Sequence, residues 1–156
     1  MAVNRGKQFE SKVKEDWERS LPESVLLRLP DQMSGYAGYS SNICDYIGFA
    51  GRCLWLVECK SIHGNTLPFT NLRQYDKLLA YKDKPYTHPG VILWWVDLDK
   101  VAFIPIQSIE KMKADNKKSI NIKMLNSDEY FLLEIPSKKK RVFMDSDYSI
   151  LLSLED

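Results

Sequence analysis

Two carboxylates and an ammonium group frame the chemistry open to this sequence. Asp45 is followed thirteen residues later by Glu58-Cys59-Lys60. Glu58 and Lys60 stand two apart at the end of the apolar run RCLWLVECK, so in a strand they share a face. Ala50-Gly51, between ICDYIGF and that run, suits a tight two-residue hairpin turn. Pairing across it, with partner numbers summing to 101, sets Asp45 opposite Leu56, on the face of Glu58 and diagonal to it. Diagonal neighbours have β-carbons about 7–8 Å apart or a little less, which lets their oxygens approach a common point. Two bare carboxylates about 4 Å apart repel by roughly 4 kcal/mol at an effective dielectric near 20, so a cation is needed to hold them together. Lys60 supplies one positive charge, and oxygen donors with room for water suit Mg²⁺. The rival reading is a small surface ion network in which Lys60 alone satisfies both acids. Glu10, at the margin of a helical apolar row, could point a third carboxylate over the sheet or simply face solvent.

These side chains need elements to carry them. Phe9, Val13 and Trp17 recur at helical spacing, which predicts a helix over 4–20 that Pro22 ends. VLLRL at 25–29 reads as a strand, and 31–42 as a Gly/Ser/Tyr loop. The run 52–60 is apolar on both faces, Cys53, Trp55 and Val57 on one and Leu54 and Leu56 on the other, as a central strand requires. A helix is predicted from Asn71 to about Lys82, buried strands at 90–96 and 100–105, and a short basic helix at 106–115. A second hairpin is expected from Ile120–Leu125 and Tyr130–Ile135, and a last helix capped by Asp145-Ser146. This order predicts a mixed central sheet flanked by helices, an α/β or α+β domain.

With 156 residues, 44% of them hydrophobic, and only 7 Gly and 7 Pro, one globular domain over 1–156 is expected rather than disorder or a second core. The longest apolar runs, such as VILWWV, are far too short for a helical membrane span. The polar opening MAVNRGKQFE points to a cytoplasmic protein. Three cysteines without a C-x-x-C pair make neither a disulfide framework nor a zinc ribbon. Cys44 and Cys53 read as small buried residues, and Cys59 with His63 is discounted as a soft-metal site. Net charge is only +1, yet Lys111 to Arg141 carries nine basic and four acidic residues. Such a run is ordinarily a solvated face; the tract SKKKR at 137–141 is also suited to touching DNA backbone. Trp94 and Trp95 read as packing residues rather than a base-stacking platform.

Asp45, then Glu58-Cys59-Lys60, after a helical glutamate at position 10, resembles the D…E-x-K core of the PD-(D/E)XK nuclease superfamily. The opening Asn4-Arg5-Gly6-Lys7-x-x-Glu10, Ser40-Ser41 ahead of Asp45-Tyr46, and Pro68-Phe69 through Asn71 and Gln74 make the chain similar to the RecU-type Holliday junction resolvases of Gram-positive bacteria and their phages, over about residues 4–110. The resemblance implies a restriction-endonuclease-like fold, with Asp45 and Glu58 holding the metal, the Cys59 carbonyl as a further ligand and Glu10 completing or orienting the shell. It further implies that Lys60 positions and polarises the attacking water and steadies transition-state charge, and that Gln74 orients that water or Lys60. Mg²⁺ would be the cofactor, with Mn²⁺ as a substitute.

Candidate contacts to DNA are Arg5, Lys7, Tyr36, Tyr39, Arg73 and Lys77, side-chain types that also populate ordinary surfaces. The expected activity is symmetric cleavage of four-way junctions by a homodimer, since a junction offers two symmetry-related scissile phosphates. Its interface would come from the N-terminal helix or the strands near 90–105. Two departures stand out: Cys44 takes the place of a small hydroxyl residue before Asp45, and 31–42 is short for the RecU stalk. Junction selectivity therefore stays open against two alternatives, a nuclease of the same fold acting on duplex or flap DNA and a non-catalytic DNA-binding recombination partner.

Overall fold

A computed structural model of the chain describes residues 4–30 and 42–154. The first helix, α1 (Arg5–Ser20), opens at Asn4, whose side chain accepts a hydrogen bond from the Lys7 N–H at 3.1 Å. It closes where the Leu21 N–H reaches the Trp17 carbonyl at 2.7 Å, just before Pro22. Phe9, Val13 and Trp17, together with Asp16, form its buried face. Three strands follow, β1 (Val25–Arg28), β2 (Tyr46–Ala50) and β3 (Cys53–Ile62), then β4 (Thr66–Pro68), a 3₁₀ turn at Phe69–Asn71 and a short helix α2 (Tyr75–Leu79). The chain continues through β5 (Thr87–Trp95), β6 (Lys100–Pro105), α3 (Ile106–Ala114), β7 (Ser119–Asn121), β8 (Leu133–Glu134), β9 (Ser137–Lys140) and β10 (Phe143–Ser146), and ends in a 3₁₀ segment at Tyr148–Leu154.

Six strands make one mixed sheet in the order β1-β2-β3-β5-β6-β8. All neighbours are antiparallel except β3 and β5, which run parallel from Leu54↔Thr87 to Ile62↔Trp95. Pro89 is tolerated in β5 because β6 pairs with that strand only from Gly90 onward, so no ladder bond is lost. One face of the sheet, with Trp55, Val57, Cys59, Trp94 and Phe103, is covered by α1, β10 and the C-terminal 3₁₀ segment. The other, with Leu56, Val91, Leu93 and Ile104, lies under α2, α3 and the β4–β7 ribbon. The central sheet with helical layers is the architecture expected from the order of apolar runs. Among the described residues no helix is long and apolar enough to cross a membrane.

Four local expectations are corrected. The β2–β3 register is Tyr46↔Val57 to Ala50↔Cys53, with partners summing to 103. The turn is therefore Gly51-Arg52, with φ of 60° and 67°, as the twist-matched hairpin turn demands at both positions. Helix α2 is one turn and a fraction rather than the whole of 71–82, because Phe69–Asn71 folds as its own 3₁₀ turn before it. Residues 120–135 form no hairpin: β7 pairs with β4 and β8 with β6, each taking a partner that leaves Ile120 and Ile135 buried on opposite faces of the sheet. Residues 143–146 extend as β10 against β9, and the final segment is 3₁₀, so Asp145 caps no helix and instead meets Lys12 at 2.6 Å. The strands at 90–105, one expected source of a dimer interface, are interior β5 and β6 and are almost wholly buried within the protomer.

Candidate active site

Asp45 immediately precedes β2, held by backbone bonds on both sides: its N–H donates to the Val57 carbonyl at 3.1 Å, and its carbonyl accepts from the Leu29 N–H at 2.9 Å. The β2–β3 register ends at Tyr46↔Val57 and the Asp45 N–H reaches that same Val57 carbonyl, so the aspartate stands at the end of the ladder with its carboxyl group within hydrogen-bond reach of Glu58, rather than at the expected diagonal. Glu58 is only 6% exposed, on the last buried stretch of β3. Burial first, then the Asp45 charge and a hydrogen bond shared with its carboxyl group, push Glu58 up to about 8, while Lys60 pulls the other way. The Lys60 Nζ stands 3.7 Å from Glu58 Oε2, on the same face two residues on. The three residues singled out first are thus brought together at the carboxyl end of the central strand.

The Asp45 Oδ2 accepts a hydrogen bond from the Cys59 N–H at 2.8 Å. In a strand a residue's N–H and C=O point to the same edge, so the Cys59 carbonyl also faces the Asp45 side. The Cys59 side chain points the opposite way, into the core under α1, where burial pushes the thiol well up. It therefore stays a neutral packing group, as does Cys44, pushed up to about 12 chiefly by burial. His63 is exposed and bonds to Asp97 at 2.9 Å.

Glu10 arrives from α1 at the rim of the sheet. Its carboxylate pairs with the Arg28 guanidinium at 2.7 Å, and its backbone carbonyl accepts from the Tyr46 hydroxyl at 2.8 Å. Its charge still adds to the field that holds the proton on Glu58. Arg28 was not foreseen; the signal was a basic residue ending a strand that borders the acidic cluster. Gln74 lies just before α2 and, with Leu72, Tyr75, Leu78, Val91 and Ile106, lines a narrow crevice against Glu58. Its side-chain amide donates to the Asn42 carbonyl at 3.3 Å.

The other expected contacts divide into two groups. Arg5 and Lys7 sit in the first turn of α1, Arg5 with its guanidinium 5.5 Å from the Phe143 ring centre. Arg73 and Lys77 flank Gln74 on the opposite side of the sheet, Arg73 exposed and Lys77 half-buried. Tyr36 and Tyr39 lie outside the described residues, as do Ser40 and Ser41.

Among the described residues no three His, Cys, Asp or Glu side chains come together as a ready metal cage. The site has instead a carboxylate pair, with Glu58 keeping a proton in the absence of a cation, and a backbone carbonyl directed at the same edge. Oxygen-only donors that crowd like charge fit a hard divalent cation such as Mg²⁺ or Mn²⁺, which keeps water and substrate oxygens in its remaining positions. Asp45, Glu58 and the Cys59 carbonyl can hold such an ion, whereas Glu10, engaged by Arg28, is placed to support the shell rather than to start it.

No protein-family model matches the sequence, and no curated protein matches it. Among solved structures the chain is similar to the Holliday junction resolvase Hjc from the archaeal hyperthermophile Archaeoglobus fulgidus, with a TM-score of 0.56 at 20% sequence identity. The match covers 83% of this chain and 95% of that one. The mixed sheet flanked by helices is therefore a restriction-endonuclease-like fold.

Proposed function

We propose that this chain is a metal-dependent DNA endonuclease that resolves four-way junctions in recombination and repair. The observation that carries the reading is the Asp45–Glu58 carboxyl pair at the carboxyl end of β3, its glutamate buried and its aspartate partly so, with Lys60 beside it. Adjacent carboxyl groups of this kind attract a cation, and strongly perturbed pairs cluster at functional sites. The fold shared with the archaeal Holliday junction resolvase directs the choice of substrate to branched DNA.

A divalent cation bound by Asp45, Glu58 and the Cys59 carbonyl would supply Lewis acidity, lowering the pKa of water and neutralising phosphate oxygens. Asp45 is fixed by its backbone bonds and by the Cys59 N–H, so its remaining oxygen is pre-aimed. Glu58, without its proton, would be the second anionic donor. Lys60 directs an ammonium group to the non-bridging oxygens, where charge grows as the nucleophile attacks. Gln74, from the α2 side of the crevice, offers an amide that can orient water. Arg28 holds Glu10 in place at the rim.

A junction presents two equivalent scissile phosphates, so the active form is a two-fold homodimer, each copy cutting one strand. The cleavage test compares a synthetic four-way junction, linear duplex and flap with Mg²⁺, using wild type and Asp45→Asn. Symmetric nicks confined to the junction, lost in Asp45→Asn by at least about 100-fold, are the expected outcome. Equal cutting of duplex would replace the junction with a general duplex substrate, and binding without cleavage of any substrate would reduce the chain to a scaffold. Sedimentation at micromolar concentration reads the dimer directly.

A further inference from the structure

We infer that the β9–β10 hairpin is a grip for the phosphate backbone of a duplex arm, seated next to the site that cuts it; this rests on the nuclease reading above. Lys138, Lys139, Lys140 and Arg141 are consecutive and all exposed. The hairpin lies along α1: Phe143 meets Arg5, Asp145 meets Lys12, and the Ser146 N–H donates to Asp16 at 3.0 Å. Its turn, at Arg141 and Val142, therefore points toward the amino end of α1.

That end coincides with the site. The Phe143 ring packs on Trp94 at 5.4 Å, which packs on Phe9 at 5.4 Å, and Trp94 pairs in register with Ser61, one residue past Lys60. The Lys139 ammonium reaches Asp99, in the β5–β6 turn beyond the same end of the sheet, at 2.7 Å. The basic tip thus stands beyond the carboxyl ends of β3 and β5, on the α1 side of Glu58 and Lys60, adjoining Arg5 and Lys7.

The charge is available. Among the described residues, Lys139 pairs with Asp99, while Lys138, Lys140 and Arg141 make no ion pair. Arg141 holds φ at 48°, a conformation that glycine or asparagine adopts at lower cost, so local folding does not favour arginine there. Long cations on a two-stranded ribbon, without a fixed base-edge contact, suit sequence-independent neutralisation of phosphates.

The test measures junction binding in EDTA, where cleavage is suppressed, as a function of salt. One variant combines Lys138→Ser, Lys140→Ser and Arg141→Gly. The control combines Arg52→Gly and Lys84→Ser, which remove positive charge at the opposite end of the sheet, where Leu54 meets Tyr86. The slope of log affinity against log salt should become shallower by about two to three in the hairpin variant and stay at the wild-type value in the control. Arg141→Gly alone, which relieves a positive φ, should melt no lower than wild type and still lose about one unit of slope. Unchanged slope and affinity in both hairpin variants would overturn the grip and would leave an acidic protein as the better partner for this surface. Mg²⁺-dependent cleavage by wild type separates the two ideas: cutting with unaltered slopes sinks the grip alone, and altered slopes without cutting of any DNA sink the nuclease alone.

Discussion

A carboxyl group buried against another carboxylate keeps its proton until a cation replaces it, and Glu58 is in that position. Its folded-state value of about 8 lies above the ordinary 4.5, so the native chain holds a proton that the unfolded chain has released over that interval. The resulting stability is fully present below about pH 4.5 and is lost as pH rises through about 8. Without metal, the melting temperature should therefore fall from pH 6 to pH 8, and Mg²⁺ should restore more of it at pH 8 than at pH 6, because at pH 6 it must first displace the proton. In Glu58→Gln both effects should flatten, since the amide imitates the protonated acid. An Mg²⁺-induced shift that survives in Glu58→Gln at full size would place the cation elsewhere. At this scale the sequence was informative: Asp45, Glu58 and Lys60 were found by spacing alone, because alternation along a strand fixes which side chains share a face. Arg28, which takes up Glu10, was missed because nothing local to either residue links positions 18 apart.

Strand β3 was legible because a run that is apolar on both faces can only be interior. Its register was not, and the reason is specific. Ala50-Gly51 looked like the turn, but the twist of the hairpin puts Gly51 and Arg52 at positive φ, and arginine at such a position carries no sequence signal. The C-terminal elements were misread for a related reason: Ile150, Leu151 and Leu154 recur at a spacing that suits a 3₁₀ segment as well as an α-helix, and the choice is made by packing against α1. Gly90 shows how tightly the central elements approach. A β-carbon there would lie 2.6 Å from the Ile104 carbonyl and from the Phe103 ring, at the first pair of the β5–β6 ladder. Gly90→Ala should therefore cost about 1–3 kcal/mol in a urea titration, through overpacking that cannot relax into solvent. A loss within error would mean that β6 can yield, contrary to its burial.

Over the whole molecule, the two ends of the chain are tied to each other. Asp16, 1% exposed, accepts from Lys12 at 3.0 Å, from Arg19 at 2.7 Å and from the Ser146 N–H at 3.0 Å, while Trp17 packs on Tyr148 at 5.9 Å. Removing the acceptor leaves the buried Ser146 N–H unpaired and takes one partner each from Lys12 and Arg19, so Asp16→Ala should lose about 2 kcal/mol by chemical denaturation. Proteolysis should then release residues 137–154 before the sheet is cut. Simultaneous loss of sheet and tail would indicate one cooperative unit with no weaker seam. The layering was legible from the order of apolar runs, but this closure was not, because it is a contact between segments 130 residues apart.

The same closure bears on when the fold becomes whole during its synthesis. Until the stretch from Phe143 to Leu151 has left the ribosome, the first helix is held from the sheet side only, through Phe9 on Trp94 and Trp17 on Trp55, and Asp16 and Arg5 lack the contacts that Ser146 and Phe143 bring. A nascent or prematurely ended chain should accordingly be open to proteases along this helix until the late segment seals it.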